Sequence, residues 1–197
     1  MNKLDVIEFF NNYAPSWDEN IIVNKEIINT ILDKAGVQAG STVLDVACGT
    51  GVLFPFYEER NVASVVGIDI APAMIDIAQN KIIKEEYKSV TAVCGDVENY
   101  PFDRKFDAIV IYNAFPHFPN PEKLIERLPS LLKAGGTLTV AHGMSRKALS
   151  KHHSGSASKV SIELLHEDAL AELMSKCFNV ETVISNEVMY QVTGIKL

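Results

Sequence analysis

Three carboxylates stand at like positions along this chain. Asp45 lies in Val43-Leu44-Asp45-Val46, Asp69 closes Gly67-Ile68-Asp69, and Asp96 follows Gly95 after the run Val90 to Cys94. Each apolar run reads as a strand, so each acid sits at a strand's carboxyl end, where it can accept hydrogen bonds from a ligand's hydroxyl or amino groups. The first run leads into Ala47-Cys48-Gly49-Thr50-Gly51, whose glycines let a ligand approach the backbone, with free N–H donors of a helix start beyond. Two imidazoles can move a proton near neutral pH: His117, in Tyr112-Asn113-Ala114-Phe115-Pro116-His117-Phe118, and His142. Cys48 has no base beside it in sequence, and its backbone suffices for the loop, so a reactive thiol is not indicated.

The glycine pattern argues about the ligand's charge. A dinucleotide loop places a third glycine three positions after Gly51, but Phe54 stands there, too bulky for that close helix approach. Asp45 would also face a pyrophosphate at short range. A cation without phosphate reverses the sign of that second objection, and S-adenosylmethionine is such a nucleoside. Asp69, 24 residues after Asp45, then suits a ribose, and Asp96 an adenine amine. Asp45 keeps a structural alternative, as acceptor for the turn's own amides, and His117 one as a capping or packing residue.

These groups must be held by a sheet. Val- and Ile-rich strands are expected at Thr42–Val46, Ser64–Ile70, Val90–Cys94, Phe106–Tyr112 and Thr137–Ala141, with helices Ile22–Lys34, a short one after Gly51, Pro72–Lys84 and Pro121–Leu132 between them. A helix from Glu167 to Lys176 and two strands, Val180–Ser185 and Val188–Ile195, parted by Asn186 and Glu187, close the chain as an edge hairpin. The expected fold is α/β: a single doubly wound Rossmann-like domain over residues 1–197, its seven-stranded sheet mostly parallel. Within it residues 1–36 form a helical cap, 40–141 the core, 142–165 a lid or acceptor-site segment with little periodicity, and 166–197 the helix and hairpin.

Composition narrows the class. With 197 residues, 47% hydrophobic and 22% charged, the chain is one globular domain. A net charge of -7 opposes nucleic acid or an anionic membrane as partner. Three separate cysteines give neither a disulfide framework nor a zinc site and suit a reducing cytoplasm. From His142 to Ile162 the basic residues Arg146, Lys147, Lys151 and Lys159 meet no acid. They form a solvated loop or a lid favouring an anionic acceptor. His142, His152 and His153 have no carboxylate or Cys at ligand spacing, and no metal is expected.

Taken together, Val43 to Gly51, Gly67-Ile68-Asp69-Ile70 with Met74, Gly95-Asp96, Phe106 to Val110 and Leu132 to Leu138 resemble the class I S-adenosylmethionine-dependent methyltransferases of the small type 11 kind, over residues 40 to 141. The chain departs at Ala47, where many members have glycine. The resemblance implies that Ala47, Cys48, Gly49, Thr50 and Gly51 cradle the methionine moiety and that Asp69 binds the ribose. Ile70 and Met74 would pack on the adenine, and Asp96 with the Val97 amide would read its edge. Asn113 would meet the methionine amine, and Tyr13 and Trp17 would close over the cofactor. The activity implied is methyl transfer to a small molecule by a monomer or homodimer, leaving S-adenosylhomocysteine, with His117 or His142 taking a proton. Binding without catalysis, or a nucleotide-dependent oxidoreductase, are the competing readings.

Overall fold

In a computed structural model describing residues 1–19, 21–153 and 159–197, one sheet carries seven strands in the order β3-β2-β1-β4-β5-β7-β6. They are β1 Thr42–Val46, β2 Ser64–Asp69, β3 Val90–Cys94, β4 Phe106–Tyr112, β5 Leu132–His142, β6 Phe178–Ser185 and β7 Tyr190–Lys196. The first five pair in parallel, and β7 pairs antiparallel with both β5 and β6. The chain winds from β1 outward through β2 to β3, then crosses back to β4 and β5. The strand order thus reverses between β1 and β4, and their carboxyl ends open a crevice there.

Strands buried on both faces alternate between two cores. Leu44, Val46, Ile109, Ile111, Leu138 and Val140 fill one side, and Val43, Val65, Ala108, Val110 and Ala141 the other. Helices α1 Lys3–Tyr13, α2 Lys25–Lys34, α3 Phe54–Glu59, α4 Pro72–Lys84, α5 Pro121–Arg127, α6 Arg146–His153 and α7 Glu167–Ser175 surround the sheet. Asn2 and Asp5 form a capping box on α1, and Asn120 accepts from the Lys123 amide at α5.

Several boundaries move for local reasons. The α2 helix starts at Lys25 rather than Ile22, because the Asn24 side chain caps the Ile27 amide. That frees Ile22 and Val23 from the helix. The β5 strand begins five residues before Thr137, at Leu132, with a register shift against β4. Residues 142–165 are not a plain loop. Ser145 Oγ accepts from the Ala148 amide and Leu149 is buried, which starts α6, a helix too short to show a period. The run Ser154 to Ser158 lies outside the described residues. The turn between β6 and β7 spans four residues, with Asn186 Oδ1 accepting from the Val188 and Met189 amides, so Val188 is exposed rather than paired.

Ile109 sits fully buried in the middle of β4, between β1 and β5. Ile109→Ala is expected to lower unfolding free energy by about 3 kcal/mol, read as an earlier urea midpoint at unchanged denaturant slope.

Candidate functional site

At the carboxyl ends of β1, β2, β3 and β4 lies a cleft of about 1100 Å³, counting the solvent space at its mouth. The loop after β1 forms its floor. Ala47 takes φ 56°, Gly49 φ 54° and Gly51 φ 84°, so the chain turns sharply through left-handed conformations. Ala47 holds with a side chain a geometry that glycine adopts freely. A side chain added at Gly49 would meet no atom within 4 Å, because that flank faces the cleft. Gly51 differs: a Cβ there would strike the Phe54 ring, which also fills the space beside Gly67. Phe54 thus occupies the ground that a third loop glycine would leave open.

Asp69 organises this floor. Its Oδ2 accepts from the Gly49 amide and its Oδ1 from the Ala71 amide, both at 2.9 Å. Burial raises its pKa, and the backbone donors partly offset that rise. Asp45 lies beneath the loop, fully buried, and among the described residues its Oδ2 has no hydrogen-bond partner. Burial first, and then the neighbouring Asp69 charge, push its pKa well above the ordinary 3.8. In both buried acids the charged form is thus disfavoured, in Asp45 more than in Asp69, whose oxygens hold backbone amides.

The β3 end is arranged differently. Lys3, on α1, reaches 93 residues along the chain to place its ammonium 2.7 Å from Asp96 Oδ2 and 3.0 Å from the buried Glu98. Lys123 pairs with Glu98 from the other side at 3.0 Å. Asp96 also accepts from the Glu98 amide and from Asn99. Burial opposes its charge, but these donors and the Lys3 ammonium hold its carboxyl below the usual range.

Over the β4 end, Asn113 takes φ 54° and its Oδ1 accepts from the Gly143 amide at 2.9 Å, tying β4 to β5 beside the cleft. His117 ends the short 3-10 turn Phe115–His117. Its Nδ1 is 2.8 Å from the Val160 carbonyl and 3.2 Å from Ser161 Oγ. A carbonyl only accepts, so Nδ1 carries the proton and the basic lone pair belongs to Nε2. Phe10 meets the His117 ring edge-on at 4.9 Å and Trp17 at 5.4 Å, bringing the N-terminal segment to the same wall.

Among the residues expected at the site, Trp17, Ala47, Cys48, Gly49, Asp69, Ile70, Met74, Asp96, Val97, Asn113 and His117 line the cleft. Others do not. Tyr13 is 42% exposed and stacks on Phe9 instead. Thr50 points to Asp18, its hydroxyl donating at 2.5 Å, and Asp18 also pairs with Lys81. Asp45 and Gly51 support the floor from below. His142 is fully buried, with its ring edge-on to Tyr190 at 6.0 Å, so packing removes it from the cleft. Arg146 lies 3.8 Å from Glu163, and Arg146, Lys147 and Lys159 are not among the described residues lining the cleft. Lys3, Ile21 and Ile22 line it without having been expected there, and Phe10 and Phe118 join them.

Residues 43–136 match the family model described as a methyltransferase domain. The chain is 24% identical over 212 residues to malonyl-[acyl-carrier protein] O-methyltransferase of Priestia megaterium, covering 96% of this chain and 76% of that one. It is 33% identical over 100 residues to a ubiquinone biosynthesis O-methyltransferase of Coxiella burnetii, covering 50% of this chain but only 42% of that one. The structure of magnesium protoporphyrin IX methyltransferase from Synechocystis, solved with bound S-adenosylhomocysteine, superposes with a TM-score of 0.74 over the full length of both chains at 16% identity.

The raised pKa of Asp45 has a signed consequence. Stability from its protonated form is complete below pH 3.8 and is lost as pH rises through the higher native value. Asp45→Asn should therefore lose less stability between pH 4 and pH 8 than the parent in urea titrations, and equal losses would contradict the assignment.

Proposed function

Because the chain belongs to the class I S-adenosylmethionine-dependent methyltransferases of the small type 11 kind, we propose that it methylates a small-molecule acceptor held beside His117. The observation carrying this reading is one cleft that combines the open flank of Gly49, two strand-end carboxylates and an imidazole of defined tautomer.

The residues present suit the donor. Open space beside Gly49 admits a ligand against backbone, and Asp69 presents carboxyl oxygens rather than a cation beside it. Both Asp69 oxygens already accept backbone amides, and each retains a second lone pair for a ribose hydroxyl. Ile70 and Met74 would flank the adenine, with Asp96 and the Val97 amide at its edge, while Ala47 to Gly49 and Asn113 would face the methionine moiety. When bound, S-adenosylmethionine supplies an electrophilic methyl: the acceptor atom bonds to its carbon, and the carbon–sulfur pair stays on sulfur, giving S-adenosylhomocysteine.

The chain's own part is alignment and proton removal. Val160 and Ser161 fix the His117 ring, Phe10 packs its edge, and Nε2 is the atom that takes a proton from an O–H acceptor. This reading prefers His117 to His142, which is packed away from the cleft. A reducing, cytoplasmic setting accords with three free cysteines and with a chain in which no described helix is long and apolar enough to cross a membrane.

Calorimetry should detect S-adenosylhomocysteine binding that Asp69→Ala abolishes. His117→Ala should retain that binding and lower turnover about 10²- to 10⁴-fold. Binding with no product across a broad acceptor panel would instead favour a non-catalytic cofactor-binding protein.

A further inference from the structure

One face of α1 runs along the cleft, for Lys3, Val6 and Phe10 follow one another at helical spacing and all line it. Phe10 and Trp17 pack on Ala71 and Met74 at the start of α4, and Asn11 Oδ1 accepts from the Ala73 amide. The segment is thereby fastened beside Met74, one of the flanks proposed for the adenine. Lys3 stands in the first turn of α1, at the positive end of the helix dipole, where a cation gains nothing locally. Its place is set instead by two acids after β3: Asp96 Oδ2 at 2.7 Å and Glu98 Oε1 at 3.0 Å. Glu98 is buried and held from its other side by Lys123, so the Lys3 ammonium is anchored rather than free to swing.

This pair keeps one donor and one acceptor in reserve. An ammonium carries three N–H groups, and Lys3 gives one to Asp96 and sits against Glu98 as an ion pair, which leaves at least one. Each carboxylate oxygen has two lone pairs. Asp96 Oδ2 accepts from Lys3 and Asn99, whereas Oδ1 accepts, among the described residues, from the Glu98 amide alone. Both side chains line the cleft, and 34% of Lys3 and 24% of Asp96 stay exposed. Adenine presents the complementary pair on one edge, an amino donor next to the ring acceptor N7. Resting on the reading that Asp96 meets the adenine amine, we propose that Lys3 is a specificity-determining residue for the nucleoside: its ammonium donates to N7 while Asp96 Oδ1 accepts from the amino group. A base with oxygen in place of that amine meets the carboxylate acceptor to acceptor and is rejected. Because the donor is carried by α1, a base read in this way also holds the N-terminal segment down.

Calorimetric titration with S-adenosylhomocysteine and with its 7-deaza analogue, in which a C–H replaces N7, isolates the Lys3 contact. The parent protein should bind the analogue about 5- to 100-fold more weakly. Lys3→Met, which keeps the apolar stem and removes the ammonium, should bind the two ligands equally. Only the ratio of affinities within each protein is compared, so stability lost with the ion pairs does not enter it. Equal binding of the two ligands by the parent protein overturns the proposal, whether or not Lys3→Met folds, and leaves methyl transfer and the Asp96 contact intact. A ratio that Lys3→Met preserves overturns it as well. Failure of S-adenosylhomocysteine itself to bind would instead remove the reading on which the Lys3 assignment rests.

Discussion

The carboxylate of Asp69 holds two pieces of backbone at once, and the geometry of the cleft follows from that grip. One oxygen takes the amide of Gly49 and the other that of Ala71, so the loop leaving β1 and the turn entering α4 are fixed to a single side chain on β2. The grip works because β1 and β2 lie side by side in register, with Asp45 opposite Gly67. Gly67 in turn leaves room for Cys48 and for the Phe54 ring. With the loop so pinned, the outer flank of Gly49 stays clear. A buried acid is costly unless donors surround it, and here the donors are the very amides whose positions matter.

The legible and illegible parts of this molecule divide by range. Strand positions and the acids at their tips could be read because a parallel sheet covered on both faces demands continuous Val- and Ile-rich runs, each ending where the chain must turn. The loop glycines were legible through their backbone needs. What could not be read depended on partners far away in sequence. Nothing near Lys3 says that its ammonium will sit on Asp96, and nothing near His142 says that Tyr190 will cover it. Ile21 and Ile22 continue the apolar pattern of α2, and only the cap at Asn24 releases them to the rim. Tyr13 and Phe10 share a helix, but Phe10 faces the cleft while Tyr13 turns to Phe9.

Charge is distributed to match this division. The floor keeps two buried acids whose pKa values are raised, whereas Asp96 is kept ionised by a lysine from another element. Glu98 stands behind it between two ammonium groups, linking α1, the β3 end and α5. The acids thus differ in surroundings although their sequence settings look alike.

The N-terminal segment joins the rest without any strand pairing. Its anchors are side-chain contacts: Lys3 to Asp96, Asn11 to the Ala73 amide, and Asp18 to Thr50 and Lys81. Such a piece forms its own cooperative unit, able to detach at a fraction of the free energy needed to unfold the sheet. Its amides would exchange with deuterated solvent well before those of β1 and β4, and the order in which protection is lost would trace the seam between wall and floor.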